Sequence, residues 1–282
     1  MFEEIMEALE HTALETLQLL PLLFLTYLVM EYLEHRTGDH TREWIKKTGR
    51  LGPLPGAVLG LVPQCGFSAA AANLYAGRVI SVGTLIAIFL STSDEMIPIL
   101  IARPEFVGEI WKILLLKAVI ACMAGFAVDF FLRSKEDEHT HIHELCEHEH
   151  CNCEKGVVRS ALVHTLKIAL FIFVIAFVLH IVIHMVGEDT IASLILDRPL
   201  LGPILAGVVG LIPNCASSVI ITQLYVEGAM GFGSMMAGLL VSAGVGILVL
   251  LRVNEDRKES LKILGILYLI GVVSGMILEL LF

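Results

Sequence analysis

A chain of 282 residues that is 56% apolar, with a mean hydropathy of +0.80, lies outside the range of soluble globular domains, whose apolar share is about 45–50%. Apolar stretches of about 20 residues recur, the length that crosses a hydrocarbon core about 30 Å thick, so an all-α integral membrane protein is expected and a soluble enzyme is excluded. The formal charge of −10 comes mainly from acidic segments outside those stretches, and no basic patch suits nucleic acid.

In chain order, residues 1–11 carry Glu3, Glu4, Glu7 and Glu10, the wrong sign for a cleavable signal. A first span is predicted over 12–34, followed by a basic loop with Arg36, Arg42, Lys46, Lys47 and Arg50. Residues 51–78 are apolar but interrupted by Gly and Pro. Spans follow at 79–102 and 109–132, then a polar, His-rich segment at 133–159. The order then recurs: a span at 160–184, a sparse loop to 200, an interrupted segment at 201–228, and spans at 231–251 and 261–282.

The interrupted segments are two copies of one motif. Residues 51–65 read LGPLPGAVLGLVPQC and residues 201–215 read LGPILAGVVGLIPNC, 150 positions apart, with eight of fifteen positions identical. At the same offset Ser68 matches Ser218, Asn73 matches Gln223, Leu74-Tyr75 matches Leu224-Tyr225, Gly83 matches Gly233 and Asp129 corresponds to Glu279. Three units result: a first repeat at 1–132, a His/Cys/acid-rich linker at 133–159 and a second repeat at 160–282. Loop charge gives their relative orientation. Loop 36–50 is basic, whereas its counterpart 185–200 holds Arg198 alone against Glu188, Asp189 and Asp197. Conversely, 103–110 holds only Arg103 as a base, while 252–262 holds Arg252, Arg257, Lys258 and Lys262. By the positive-inside rule the matching loops lie on opposite sides, so the repeats are expected to be inverted. Inversion needs an odd number of crossings per repeat. Each repeat is therefore read as three full spans plus one re-entrant broken-helix hairpin, about ten helical segments in all. Both termini then lie outside and the linker is cytoplasmic.

Broken helices inside a bilayer free backbone groups for a cargo. The expected site is built from the hairpin tips Gln64, Cys65, Asn214 and Cys215, with Ser68, Ser218, Asn73 and Gln223 just beyond. In the run Ser91-Thr92-Ser93-Asp94-Glu95, a continuous helix would put Ser91 on one face with Asp94 and Glu95. Two adjacent acids within a span mark a functional position, and the second repeat has no acids there. Glu31 with His35, and His180 with His184, are four apart, a spacing that lets two side chains on one helix hold one metal. Asp129 and Glu279 are expected near these pairs. The linker gathers His139, His141, His143, Cys146, His148, His150, Cys151 and Cys153 among seven acids. That donor set suits a flexible, regulatory metal-catching loop better than one fixed structural site. No phosphate-binding loop or catalytic triad is present in the sequence, so no enzyme activity is expected.

The paired Pro-x-Cys hairpins, the acidic span STSDEMIP and the His-rich linker resemble the ten-helix heavy-metal exporter family of bacteria and archaea, also labelled arsenic efflux or manganese transporter. The resemblance covers about 12–282, and the chain is similar, more loosely, to the organoarsenical permeases. It implies efflux of a metal or metalloid across a prokaryotic cytoplasmic (inner) membrane. The expected activity is secondary, alternating-access export of a divalent transition metal, coupled to protons or membrane potential. Manganese is the first choice of cargo, with zinc, cobalt, nickel or iron as neighbours. Asp94 and Glu95 would bind the ion or exchange protons. Cys65 and Cys215 would instead serve an arsenite or organoarsenical permease. A permease for neutral or anionic cargo and a membrane metal sensor are the remaining classes. Expected partners are the lipid bilayer and the metal ion, with a homodimer left open and no tightly bound cofactor.

Overall fold

The computed structural model describes residues 51–62, 66–92, 96–132, 157–186, 201–254 and 256–281, together with isolated helical positions between Met6 and Leu28. Every regular element among the described residues is helical. In chain order these are α1 (Pro53–Leu59), α2 (Gly66–Ala76), α3 (Val82–Ser91), α4 (Met96–Ile101), a 3-10 turn (Pro104–Phe106), α5 (Val107–Leu132), α6 (Val157–Val186), α7 (Gly202–Gly210), α8 (Cys215–Val226), α9 (Phe232–Val241), α10 (Gly246–Val253) and α11 (Arg257–Leu281). Pro104–Leu132, Phe232–Val253 and Arg257–Leu281 are long and apolar enough to cross a membrane.

The 150-residue offset holds for the helix boundaries as well as for the letters. Helices α1 to α5 recur as α7 to α11 with ends within a residue or two of the shifted positions. Local chemistry explains the match. Pro53 and Pro203 open α1 and α7 in the first turn, where a missing N–H costs no helical bond. Pro63 and Pro213 follow the ends of those helices. Both α2 and α8 close through a left-handed turn: Val79 N–H donates to Leu74 O and Ala229 N–H to Leu224 O. The turn residues are Arg78 (φ 56°) and Gly228 (φ 73°), the latter needing no steric compromise.

At the centre lie α3 and α9, in contact with each other. All ten residues of α3 and nine of ten in α9 are buried. Helix α3 packs on α1 and α5, and α9 packs on α7 and α11 in the same pattern. One stripe of α5 is buried, through Ile110, Ile113, Lys117, Ala121, Gly125 and Val128. The corresponding stripe of α11 runs through Ser260, Ile263, Leu267, Gly271, Gly275 and Leu278. The opposite faces expose Trp111, Leu115, Met123, Phe130, Leu269, Val273 and Leu280, as a face meeting lipid requires. The crossings rest on glycine. A Cβ on Gly83 would lie 2.1 Å from Gly125 O, and one on Gly233 would lie 2.3 Å from Gly275 O, so backbones meet where small residues allow it. The short helices exchange partners: α2 packs on α10 of the other repeat, and α8 packs on α4.

The span predicted at 79–102 is not one helix. It ends at Ser91, Thr92 leaves the helix at φ −52°, ψ 128°, and α4 begins at Met96. Ser91 Oγ donates to Ala87 O and Ile88 O, and Thr92 Oγ1 donates to Ile88 O, so side-chain hydroxyls compete for the last carbonyls of α3. Pro98 also fits only in a helix's first turn. The span at 231–251 is divided likewise, between Val241 and Gly246, with Gly244 at φ 53°. The helix that carries Ser91 therefore stops at that residue, and residues 93–95, with the acids expected to share its face, lie outside the described residues. Helices α5 and α6 match their predicted spans to within three residues, and α11 starts four residues before its own.

Candidate functional site

The helix breaks come together in space. The end of α1 abuts the end of α3, since a Cβ on Gly60 would lie 2.0 Å from Ser91 Oγ. In the second repeat the end of α7 abuts the end of α9: a Cβ on Gly210 would lie 2.4 Å from Gly238 O. Asn214 is buried and caps α8, its Oδ1 accepting from Ala216 N–H at 3.2 Å. Ser217 Oγ donates to Asn214 O at 2.8 Å and lies 3.4 Å from Ser242 Oγ in the α9–α10 break. Ser68 and Asn73 are fully buried on α2. The start of α10 rests on Ser68, where a Cβ on Gly246 would lie 2.7 Å from the Ser68 Cβ. Ser218 is buried on α8, its carbonyl accepting from Thr222 Oγ1 at 2.7 Å.

One residue ties the repeats together at this level. Lys117, fully buried on α5, donates from Nζ to Thr92 O at the end of α3 and to Leu239 O of α9 at 2.9 Å. Sequence reading passed over it. The signal is a lysine within ILLLKAVIAC, matched 150 positions later by Leu267, and an intramembrane charge marks a functional position.

Three of the other residues singled out in the sequence have partners of their own in the structure. Asp129 is committed to closing the N-terminus of α3: Oδ1 accepts from Gly83 N–H at 2.8 Å and Oδ2 from Ser81 Oγ at 2.7 Å. Glu279 does the same for α9 through Ser234 N–H at 2.8 Å. These carboxylates satisfy orphan helix donors, a role the sequence reading did not assign them. Asp129→Ala should lower stability by about 1–2 kcal/mol, read as a drop in thermal midpoint in detergent, and Asp129→Asn should lose less because one acceptor remains. Gln223 is exposed and donates to Glu227 at 3.3 Å, whereas its counterpart Asn73 is enclosed. The tip residues Gln64 and Cys65, the acids Asp94 and Glu95, the residues Glu31 and His35, and all eight linker ligands lie outside the described residues. His180 and His184 fall on helix α6 and Cys215 opens α8; their side chains also lie outside the description. Among the described residues, no group of three His, Cys, Asp or Glu is placed to hold a metal.

A second cross-repeat contact was also missed. Tyr75 OH donates to Glu259 Oε1 at 2.7 Å, and Tyr225 OH donates to Glu109 Oε2 at 2.7 Å. Both members of each pair are offset by 150, so the two hydrogen bonds are equivalent. Among the described residues only the first is reinforced, by the Arg78 guanidinium bonding both Glu259 oxygens at 3.0 Å and by Asn254 Nδ2 at 3.0 Å. The hydrogen bond to Glu259 holds Arg78 even more firmly protonated than usual.

A family model described as "Putative, 10TM heavy-metal exporter" matches residues 17–187 and again 156–281. The chain belongs to this family. No curated protein and no solved structure matches it. Family membership, with the apolar helices, makes the chain a multi-pass membrane protein of a heavy-metal exporter family.

Proposed function

We propose that this exporter carries a divalent transition-metal cation, manganese first, out of the cytosol by alternating access as a secondary transporter. The observation that carries the reading is the meeting of helix breaks at the ends of α3 and α9. Transporters hold cargo at broken helices near a bilayer midplane; the Thr92 and Leu239 carbonyls are themselves taken by Lys117, so a cation bound beside them draws its compensation from side chains. Asp94 and Glu95 follow Thr92 by two and three residues, which supports their acting as charged ligands or proton exchangers there. Loop charges support inverted repeats, each with a re-entrant hairpin. We place the termini outside and the His-rich linker in the cytosol of a prokaryotic inner membrane. Alternating access is then one repeat rocking against the other.

The experiment is metal accumulation in cells stripped of other exporters. Asp94→Asn combined with Glu95→Gln should abolish export, and unchanged export in a well-expressed variant would remove both residues from the site. Deleting 137–153 should leave part of the transport intact, as expected of a regulatory loop. The arsenical reading is favoured by one feature, the position of Cys215 as the first residue of α8 beside the buried cap Asn214. If it is correct, Cys65→Ser with Cys215→Ser loses arsenite resistance while the acid variants keep it.

A further inference from the structure

Two helix C-termini, one from each repeat, end on the same ammonium. The ladder of α3 closes with Thr92 N–H on Ile88 O at 3.0 Å, and the Thr92 carbonyl lies beyond it. The ladder of α9 closes with Ser242 N–H on Gly238 O at 3.0 Å, leaving the Leu239 carbonyl past the last bond of that kind. Both carbonyls accept from Lys117 Nζ. The side chain is fully buried and among the largest that are. Charge is costly to enclose unless it is compensated, and here the negative ends of two helix dipoles contribute part of the compensation. The repeat-equivalent Leu267 is also fully buried, so the scaffold does not require a lysine at this register.

We propose that Lys117 is a tethered cation filling a monovalent-cation site formed by the C-terminal ends of α3 and α9. Converging helix ends and freed carbonyls would otherwise draw a sodium or potassium ion. Here the protein supplies the charge, and the same ammonium, which has a further polar or electrostatic partner besides these carbonyls, fastens the break of the first repeat to the core helix of the second. A monovalent metal ion therefore has no place at this position, and Lys117 acts as a positioning residue for both breaks. The proposal depends on this geometry and not on the identity of the cargo.

The test removes the side chain and returns its charge from solution. Purified wild type, Lys117→Ala and Lys117→Met are melted in detergent with ethylammonium chloride or, at equal ionic strength, tetramethylammonium chloride, which has no N–H to donate. Lys117→Ala should melt about 5 °C or more below wild type and recover at least half of that loss in ethylammonium but not in tetramethylammonium. Wild type should respond to neither salt. Lys117→Met, which fills the space without charge, should lose stability and not be rescued. Three results would overturn the proposal: a Met variant as stable as wild type, a folded Ala variant indifferent to ethylammonium, or equal stabilisation of wild type. If Lys117→Ala does not survive extraction, the midpoint of Lys117→Met decides alone. Because no cargo enters the measurement, failure of the exporter reading would leave this outcome intact.

Discussion

Gly83→Ala is expected to cost more than about 3 kcal/mol, enough to keep most of the protein from reaching a stable, monodisperse state. A single methyl there would sit 2.1 Å from the Gly125 carbonyl and 2.5 Å from the Asp129 carboxylate. The first is backbone and cannot rotate away, and the second holds the start of α3. The equivalent Gly233→Ala meets Gly275 O at 2.3 Å and Glu279 N at 2.4 Å and should fail to a similar degree. The control is Gly265→Ala, also within a long helix but with nothing inside 4 Å. There the better helix propensity of alanine should leave stability unchanged or raise it by about 0.5–1 kcal/mol. Thermal unfolding and gel filtration in detergent measure all three. A Gly83→Ala protein melting within about 2 °C of wild type would mean that α3 and α5 do not cross at this point.

Glu259→Ala should cost about 2 kcal/mol, roughly twice the loss for Glu109→Ala. The two carboxylates occupy equivalent places and each receives a tyrosine hydroxyl from the other repeat. Removing Glu259 also strips partners from Arg78 and Asn254. Arg78 and Glu259 side chains are 34% and 21% exposed, so solvent screening keeps the value well below that of a buried pair. Arg78→Gly should lose less than Glu259→Ala, because glycine relaxes the left-handed backbone that arginine tolerates poorly. Melting midpoints of the single variants and of each with its tyrosine changed to phenylalanine give the coupling energies. Equal losses at Glu259 and Glu109 would show that Arg78 adds nothing to the first contact.

Much of the architecture was legible because membrane helices leave strong periodic signals. The 150-residue repeat, the interruption before each Pro-x-Cys and the ends of α5 and α6 followed from hydropathy, proline and glycine. The division of α3 from α4 was not legible from hydropathy, since MIPILI continues the apolar run. The informative residues were Ser91 and Thr92, whose hydroxyls turn back on the helix, and Pro98, which limits where the next one starts. The capping role of Asp129 and Glu279 was not legible, because it depends on where α3 and α9 begin, which no residue pattern near the far ends of α5 and α11 gives. Lys117 carried a visible signal in a run of leucines, yet its partners are backbone carbonyls, which no residue pattern reveals. The Tyr75–Glu259 contact spans 184 positions. Its two members recur as Tyr225 and Glu109, but a repeat alone does not say that they pair across the halves.

The partner exchange of the short helices has a consequence for biosynthesis. Helix α2 finds α10 and α4 finds α8 only in the other half of the chain, so the first half leaves the ribosome with two segments lacking their final neighbours. Chain growth proceeds at about 5–20 residues per second. The interval between the emergence of α2 and that of α10 is therefore on the order of ten seconds or more, during which interrupted, glycine-rich segments must be held in or beside the membrane. Neither half is complete alone, and co-production of 1–132 with 160–282 should recover folded protein where either fragment by itself is degraded.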